Sequence, residues 1–302
     1  MKRILPLLLA SLLVAVASQG AGKKLPKQAP KHVVIIGLDG LSSESLREGN
    51  PMPFLRTLME GGTWALQKRS VLPSSSALNW ASLYMGAGPE QHGYNTWSSR
   101  KPDFPSDTLT EHGFFPDLYY QTKLTYPDVK IGHFYEWDGM HYVVDTLSID
   151  KDLQIDRHKG GIALALDYIR QSRPLITSII LDSPDHEGHA SGWLSPEYMS
   201  VLSHLDTVIK EVYTGIAEAG LLPETLFVIT ADHGGKGKGH GGTSMSEMEA
   251  PVVFYGKGIR PRGEIKETVS IMDIAPTLAY ILKVSRPHAW KGRPIPSISR
   301  RK

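Results

Sequence analysis

The chain contains no cysteine. That excludes disulfides, thiolate metal ligands and a lipidated N-terminal cysteine. Net charge is nearly absent too: 33 Lys and Arg against 31 Asp and Glu leave +2. So small a total does not point to nucleic acid or an acidic membrane as the main partner, and no binding of a nucleic-acid duplex is expected. Long apolar runs are missing as well. The single one, residues 4–17, falls short of the roughly 20 residues that a spanning helix needs. Lys2 and Arg3 precede it, and Ala15, Val16 and Ala17 supply the small residues of a cleavage site. Residues 1–20 therefore read as a cleaved secretory signal, which leaves no stable membrane span. Export without disulfides suggests a periplasmic or secreted protein. Residues 21–31, rich in Lys and Pro, read as a linker.

What is present supports a sizeable core: 302 residues, 41% of them hydrophobic. Residues 32–298 are expected to form a single domain. Continuous β-branched runs at 32–38 (HVVIIGL), 175–181 (LITSIIL) and 226–231 (LFVITA) predict strands buried on both faces. Residues 251–255 (PVVFY) and, less clearly patterned, 130–135 (KIGHFY) read as two more. Helical spacing occupies 52–60, 160–171, 195–219 and 271–281. The third has Ser195 as N-cap, Pro196 at its first position and Gly220 as its stop. This alternation predicts an α/β fold with a mainly parallel central sheet sandwiched by helices. Residues 95–150, rich in aromatics and proline, read either as a pocket-shaping insertion or as a plain surface excursion.

Acidic residues and histidines sit where such a sheet gathers ligands, beyond the carboxyl ends of its strands. Asp39 follows the first strand. Asp182 and Asp185 follow the run at 175–181, and Asp232 and His233 the run at 226–231. One Asp after a strand is ordinarily a cap or a turn; three such placements with histidines attached suggest a metal site. Asp185 and His189 are spaced to share one face of a helical turn, with His186 pointing elsewhere. The glycine-rich segment GGKGKGHGG carries His240 back toward the site. It lacks the spacing of a nucleotide P-loop. Mixed imidazole and carboxylate ligands favour zinc over magnesium. Two divalent ions about 3.5–4 Å apart would clamp the attacking and leaving oxygens of an in-line displacement. The triplet Ser74, Ser75, Ser76 precedes a helical stretch at 77–85; it offers either a helix cap or a hydroxyl facing an anion. Lys236 and Lys238 read as phosphate contacts or as solvated loop residues, and Trp137, Asp138 and His141 as pocket lining or local packing. His92 reads as ordering its own turn, and Asp182 as supporting the ligands.

These residues resemble the alkaline phosphatase superfamily, and within it the type I phosphodiesterase/nucleotide pyrophosphatase branch. PSSSALN (73–79) is similar to that branch's nucleophile segment, and PEQHG (89–93) to the turn after it. PDHEGH (184–189) and TADHG (230–234) match two further motifs in the expected order. The resemblance implies an alkaline phosphatase-like fold with Ser76 as nucleophile and Asn79 as a phosphate-binding residue. It implies one metal held by Asp39, Ser76, Asp232 and His233, and a second held by Asp185, His189 and His240. It further implies hydrolysis of small phosphate esters, of phosphodiester or nucleotide pyrophosphate type, through a phosphoseryl intermediate. Serine stands where the branch usually has threonine, which keeps a phosphomonoesterase as the alternative. A sulfatase fits less well, because residues 76–80 (SALNW) lack the Pro and Arg of the sulfatase segment. A non-catalytic binding homologue would be expected to have lost ligands, yet every position is filled.

Overall fold

The computed structural model describes residues 23–299 except Glu48 and Asn50; the expected signal at 1–20 lies outside the described residues. Nine strands make one sheet: β1 (His32–Leu38), β2 (Thr63–Arg69), β3 (Ile131–Tyr135), β4 (Lys151–Gln154), β5 (Ile176–Leu181), β6 (Thr225–Thr230), β7 (Glu249–Gly256), β8 (Gly263–Glu264) and β9 (Val269–Ser270). The order is β4-β3-β5-β1-β6-β7-β2-β8, with β9 beside β2. β4, β3, β5, β1 and β6 run parallel. Only β7 opposes its neighbours. The expected α/β architecture, a mainly parallel sheet between helices, is what the chain adopts.

β1 shows why. All seven residues are buried, and alternate side chains enter opposite layers. Val33 and Ile35 join a core with Leu83, Tyr84, Leu118 and Leu278. Val34, Ile36 and Leu38 join the other, with Leu55, Ile169, Leu205 and Ile209. Helices therefore cover both faces. Pro53–Glu60, Gly161–Ser172 and Pro196–Glu218 lie on one side, and Ser76–Met85, Leu118–Thr125 and Ile274–Leu282 on the other.

The helix at 196–218 begins as expected. Ser195 Oγ accepts the Tyr198 N–H at 3.1 Å, with Pro196 at its first position. The helix expected at 271–281 is split: Ile271–Asp273 form a 3-10 turn before the α-helix starts at Ile274. Ser270 Oγ accepts from Met272 N, and Asp273 Oδ2 from Ser270 N, so the capping bonds tighten the first turn. Residues 95–150 contribute β3, an inner strand, so that part of the stretch belongs to the sheet. Within the linker region, Ala29 and Pro30 are buried, and Lys31 N donates to Glu224 O at 2.9 Å. No helix among the described residues is long and apolar enough to cross a membrane.

Candidate metal centre and nucleophile

Parallel register brings the ends of β5, β1 and β6 to one edge. Leu38 pairs with Leu181, and Gly37 with Thr230. Asp39 follows β1 directly, Asp232 follows β6 after Ala231, and a turn after β5 delivers Asp185. The loops close tightly. Gly40 takes φ +73°, and a Cβ there would lie 2.8 Å from Asp185 Cα. Asp185 N donates to Asp39 O at 2.9 Å, and Gly40 N to Asp232 Oδ1 at 3.1 Å.

The expected ligands converge. His233 Nε2 is 3.5 Å from Asp39 Oδ1 and 3.1 Å from Asp232 Oδ2. His189 Nε2 is 3.4 Å from Asp185 Oδ2, as the four-residue spacing requires. His240 Nε2 is 3.5 Å from Asp185 Oδ1 and 3.1 Å from His189 Nε2. Two groups could each hold an ion: Asp39, Asp232 and His233, and Asp185, His233 and His240. His233 thus bridges the two groups, its ring stacked on His240 with centroids 3.9 Å apart.

The donor chemistry fits cations. Each imidazole has its Nδ1 on a backbone carbonyl: His189 on Lys238 O, His233 on Gly234 O and His240 on Ser74 O, at 2.7–2.9 Å. Those bonds fix the proton on Nδ1 and turn the Nε2 lone pair inward. Asp185 Oδ1 and Asp232 Oδ2 are buried without a hydrogen-bond partner. Burial, followed by the charges of Asp232 and Asp185, raises the Asp39 carboxyl well above its usual range. Burial and Asp232 raise Asp185, and burial raises Asp232. Burial alone would hold His233 neutral, lowered to about 3. Three crowded carboxylates facing neutral imidazoles make a site that a dication relieves.

The serine triplet divides its tasks. Ser74 Oγ donates to Gly242 O at 2.8 Å and accepts from Gly241 N, tying the glycine-rich loop down. Ser75 occupies the N-cap of helix Ser76–Met85 without a side-chain cap bond. Ser76, the first helical residue, places Oγ 3.4 Å from Asp39 Oδ1 and 3.2 Å from His233 Nε2.

Asn79 differs from expectation. It is fully buried, and its Oδ1 accepts from Val71 N while Nδ2 donates to the carbonyls of Val71, Pro73 and Ser75. Its amide is spent on the loop that leads into Ser76, so the geometry makes it a brace for that loop instead of a phosphate contact. Lys238 Nζ donates to Ala190 O, and Lys236 is exposed. Asp138 pairs with Arg100 at 2.7 Å, His141 with Asp152 at 2.5 Å, and Trp137 packs over Gly139. All three make local contacts, and His141 also lines a cavity with Tyr94, Arg100 and Tyr142. Asp182 N donates to Glu136 Oε2 at 3.0 Å, and its charge adds to the rise of the Asp39 and Asp185 carboxyls.

Sequence reasoning missed three supports. Trp80 Nε1 donates to Asp39 Oδ2 at 2.9 Å, joining the serine's helix to the first ligand. Lys68 is completely buried and donates from Nζ to Ala231 O at 2.7 Å, beside Asp232; burial lowers it to about 7. Trp193 donates from Nε1 to Gly40 O at 2.9 Å and stands edge-on to His189 and His240. A Cβ on Gly188 or Gly235 would meet its ring at 2.7 and 2.1 Å. The glycine in each of those motifs was a visible signal; its aromatic partner was not.

The human ectonucleotide pyrophosphatase/phosphodiesterase family member 1 is 24% identical over 214 residues, 67% of this chain and 23% of the human protein. The venom phosphodiesterase of Macrovipera lebetinus is 22% identical over 221 residues, 69% of this chain and 26% of the venom enzyme. The chain thus spans about a quarter of the length of these curated relatives. In fold it is similar to murine ectonucleotide pyrophosphatase / phosphodiesterase 5 in complex with AMP (TM-score 0.70, 14% identity, 85% of this chain and 96% of that one). A 2-O GAG sulfatase has a similar fold (TM-score 0.72, 14% identity, 90% and 74%). The family model for type I phosphodiesterase / nucleotide pyrophosphatase matches residues 33–238, from β1 through the loop that carries Lys238. The chain belongs to the type I phosphodiesterase/nucleotide pyrophosphatase family.

Proposed function

We propose that the chain is a secreted hydrolase of small phosphate esters, of phosphodiester or nucleotide pyrophosphate type. Its catalytic unit would be residues 32–298, with residues 1–20 a signal removed on export to the periplasm or the medium. The observation that carries this reading is the position of Ser76 Oγ, at a helix N-terminus and within 3.4 Å of both Asp39 and His233. Asp39, Asp232 and His233 would hold one zinc ion beside Ser76, and Asp185, His189 and His240 a second. When bound, such ions supply Lewis-acid charge that lowers the pKa of a hydroxyl and offsets charge on phosphate oxygens.

Ser76 Oγ attacks phosphorus in line. The Oγ–P bond forms as the bond to the leaving alcohol or phosphate breaks, and the serine proton passes to solvent. Water then cleaves the phosphoseryl intermediate and restores the Ser76 hydroxyl. The helix behind Ser76 adds the partial positive charge of its N-terminus to the side where charge develops. Trp80 holds Asp39, and the Asn79 brace holds the loop before Ser76.

The test is hydrolysis by the zinc-loaded protein of a bis-aryl phosphate against a mono-aryl phosphate. Faster cleavage of the diester is expected. Exclusive cleavage of the monoester would assign a phosphomonoesterase, and cleavage of neither would remove the reading.

A further inference from the structure

The overall charge of +2 conceals a division. Residues 23–31 and 257–299 together carry 12 Lys and Arg against 3 Asp and Glu, a balance of +9. Residues 32–256 carry 16 against 28, a balance of −12. The two basic stretches are far apart in sequence but meet in the fold. They enclose a cleft of about 290 Å³ whose walls include residues 26, 28 and 29 from the first stretch and residues 258–260, 280, 281 and 283 from the second.

This cleft lies at the pole opposite the ligands. β1 leaves that pole at His32 and reaches Asp39 at the other edge, seven residues or roughly 20 Å away. Arg260 and Lys283 line the cleft and are exposed, as are Lys23, Lys24 and Lys27 in the segment that enters it. Lys283 lies over the Tyr280 ring at 4.1 Å, and Tyr280 also lines a neighbouring cleft bordered by Arg286 and His288. Acidic neighbours are already engaged. Glu224 faces Lys31 and Lys257 at 3.9 and 3.5 Å, and Glu264 pairs with Lys266. The pole therefore presents an excess of long, exposed cations around Ile259, Ile281 and Ile298, which offer a shallow apolar floor.

We propose that this basic pole docks the protein on an anionic lipid bilayer. Exposed Lys and Arg within a Debye length of such a surface each strengthen binding about fivefold, and the attraction collapses with salt. The negative remainder of the molecule would be repelled, so the charge division orients as well as attracts. Docked this way, the catalytic edge faces away from the bilayer. It is then open to soluble esters and turned from the headgroups beneath it.

Co-sedimentation with vesicles tests the proposal, read as the ratio of binding to phosphatidylcholine vesicles containing 30% phosphatidylglycerol over binding to pure phosphatidylcholine. The ratio should exceed about tenfold at 50 mM salt and approach one at 500 mM. Reversing Arg260→Glu, Lys283→Glu and Arg286→Glu together should bring it close to one at low salt. Hydrolysis of a soluble aryl phosphate should be unchanged, as these residues are remote from Ser76. If that variant fails to fold, Lys24→Glu with Lys27→Glu should lower the ratio severalfold. A ratio near one in the unaltered chain, or one untouched by the reversals in folded protein, would overturn the proposal. So would binding to heparin or DNA at salt concentrations that abolish vesicle binding.

Discussion

The Nε2 atoms of His189 and His240 face each other at 3.1 Å, an arrangement that leaves no proton between them when both rings are neutral. Both rings use Nδ1–H on a backbone carbonyl, Lys238 O and Ser74 O. Two lone pairs at that distance repel unless a cation lies between or beside them. The metal-free protein should therefore melt lower than the loaded one, and zinc should raise the melting temperature until two equivalents are bound. His240→Ala should reduce the stoichiometry toward one, measured by metal analysis after gel filtration. Two tightly held ions in that variant would take His240 out of the ligand set.

Ser76 touches the site through its hydroxyl alone. Ser76→Ala should retain two metals and an unchanged melting temperature while turnover falls by on the order of 10⁴-fold. Near-normal turnover would remove Ser76 from the chemistry. Mass spectrometry of acid-quenched wild-type reactions should find added phosphate on a peptide containing Ser76.

Asn79 separates bracing from contact. Asn79→Ala would leave the partly buried Val71 N–H without its acceptor and remove three carbonyl contacts, at about 1–3 kcal/mol. The melting temperature and turnover should fall together. A stable variant with weakened inhibition by inorganic phosphate would instead return Asn79 to the role of phosphate ligand.

His92 gives a pH dependence with a definite sign. Its Nδ1 accepts the Tyr94 N–H at 3.1 Å, and its Nε2–H donates to Ser82 Oγ at 2.9 Å. Burial lowers its pKa to about 3, against about 6.5 in an unfolded chain. Between those values the unfolded chain binds the extra proton. The stability that His92 contributes is then complete above pH 6.5 and is lost as pH falls toward 3. Unfolding of metal-free protein between pH 7 and 4 should show this slope, and His92→Gln should reduce it by at most about 1.4 kcal/mol per pH unit. Identical slopes would mean that His92 is already protonated in the fold.

The strands at β1, β5 and β6 were legible because burial on both faces leaves an unbroken apolar run. β2 carries no such run: the polar Gln67 and Lys68 interrupt it, yet Lys68 is completely buried behind Ala231. β4, with the sequence KDLQ and no buried residue, carries no pattern at all. In the site, position alone revealed Asp39, Asp185 and Asp232, since strand ends must converge where a parallel sheet has its carboxyl edge. The supports were hidden for a different reason. Trp80 reaches Asp39 across 41 residues and Trp193 reaches Gly40 across 153, and no local spacing encodes a contact of that length. Asn79 was visible as a motif member, but its task depends on the path of the loop at 71–75, which the motif does not describe.

Trp193 has a consequence for how this site can vary. One indole is wedged against glycines in the loops after β5 and β6 and hydrogen-bonded to the loop after β1. A side chain added to either glycine displaces the ring from all three loops at once. Those loops cannot drift one at a time, and a homologue that trades one of them must trade the set.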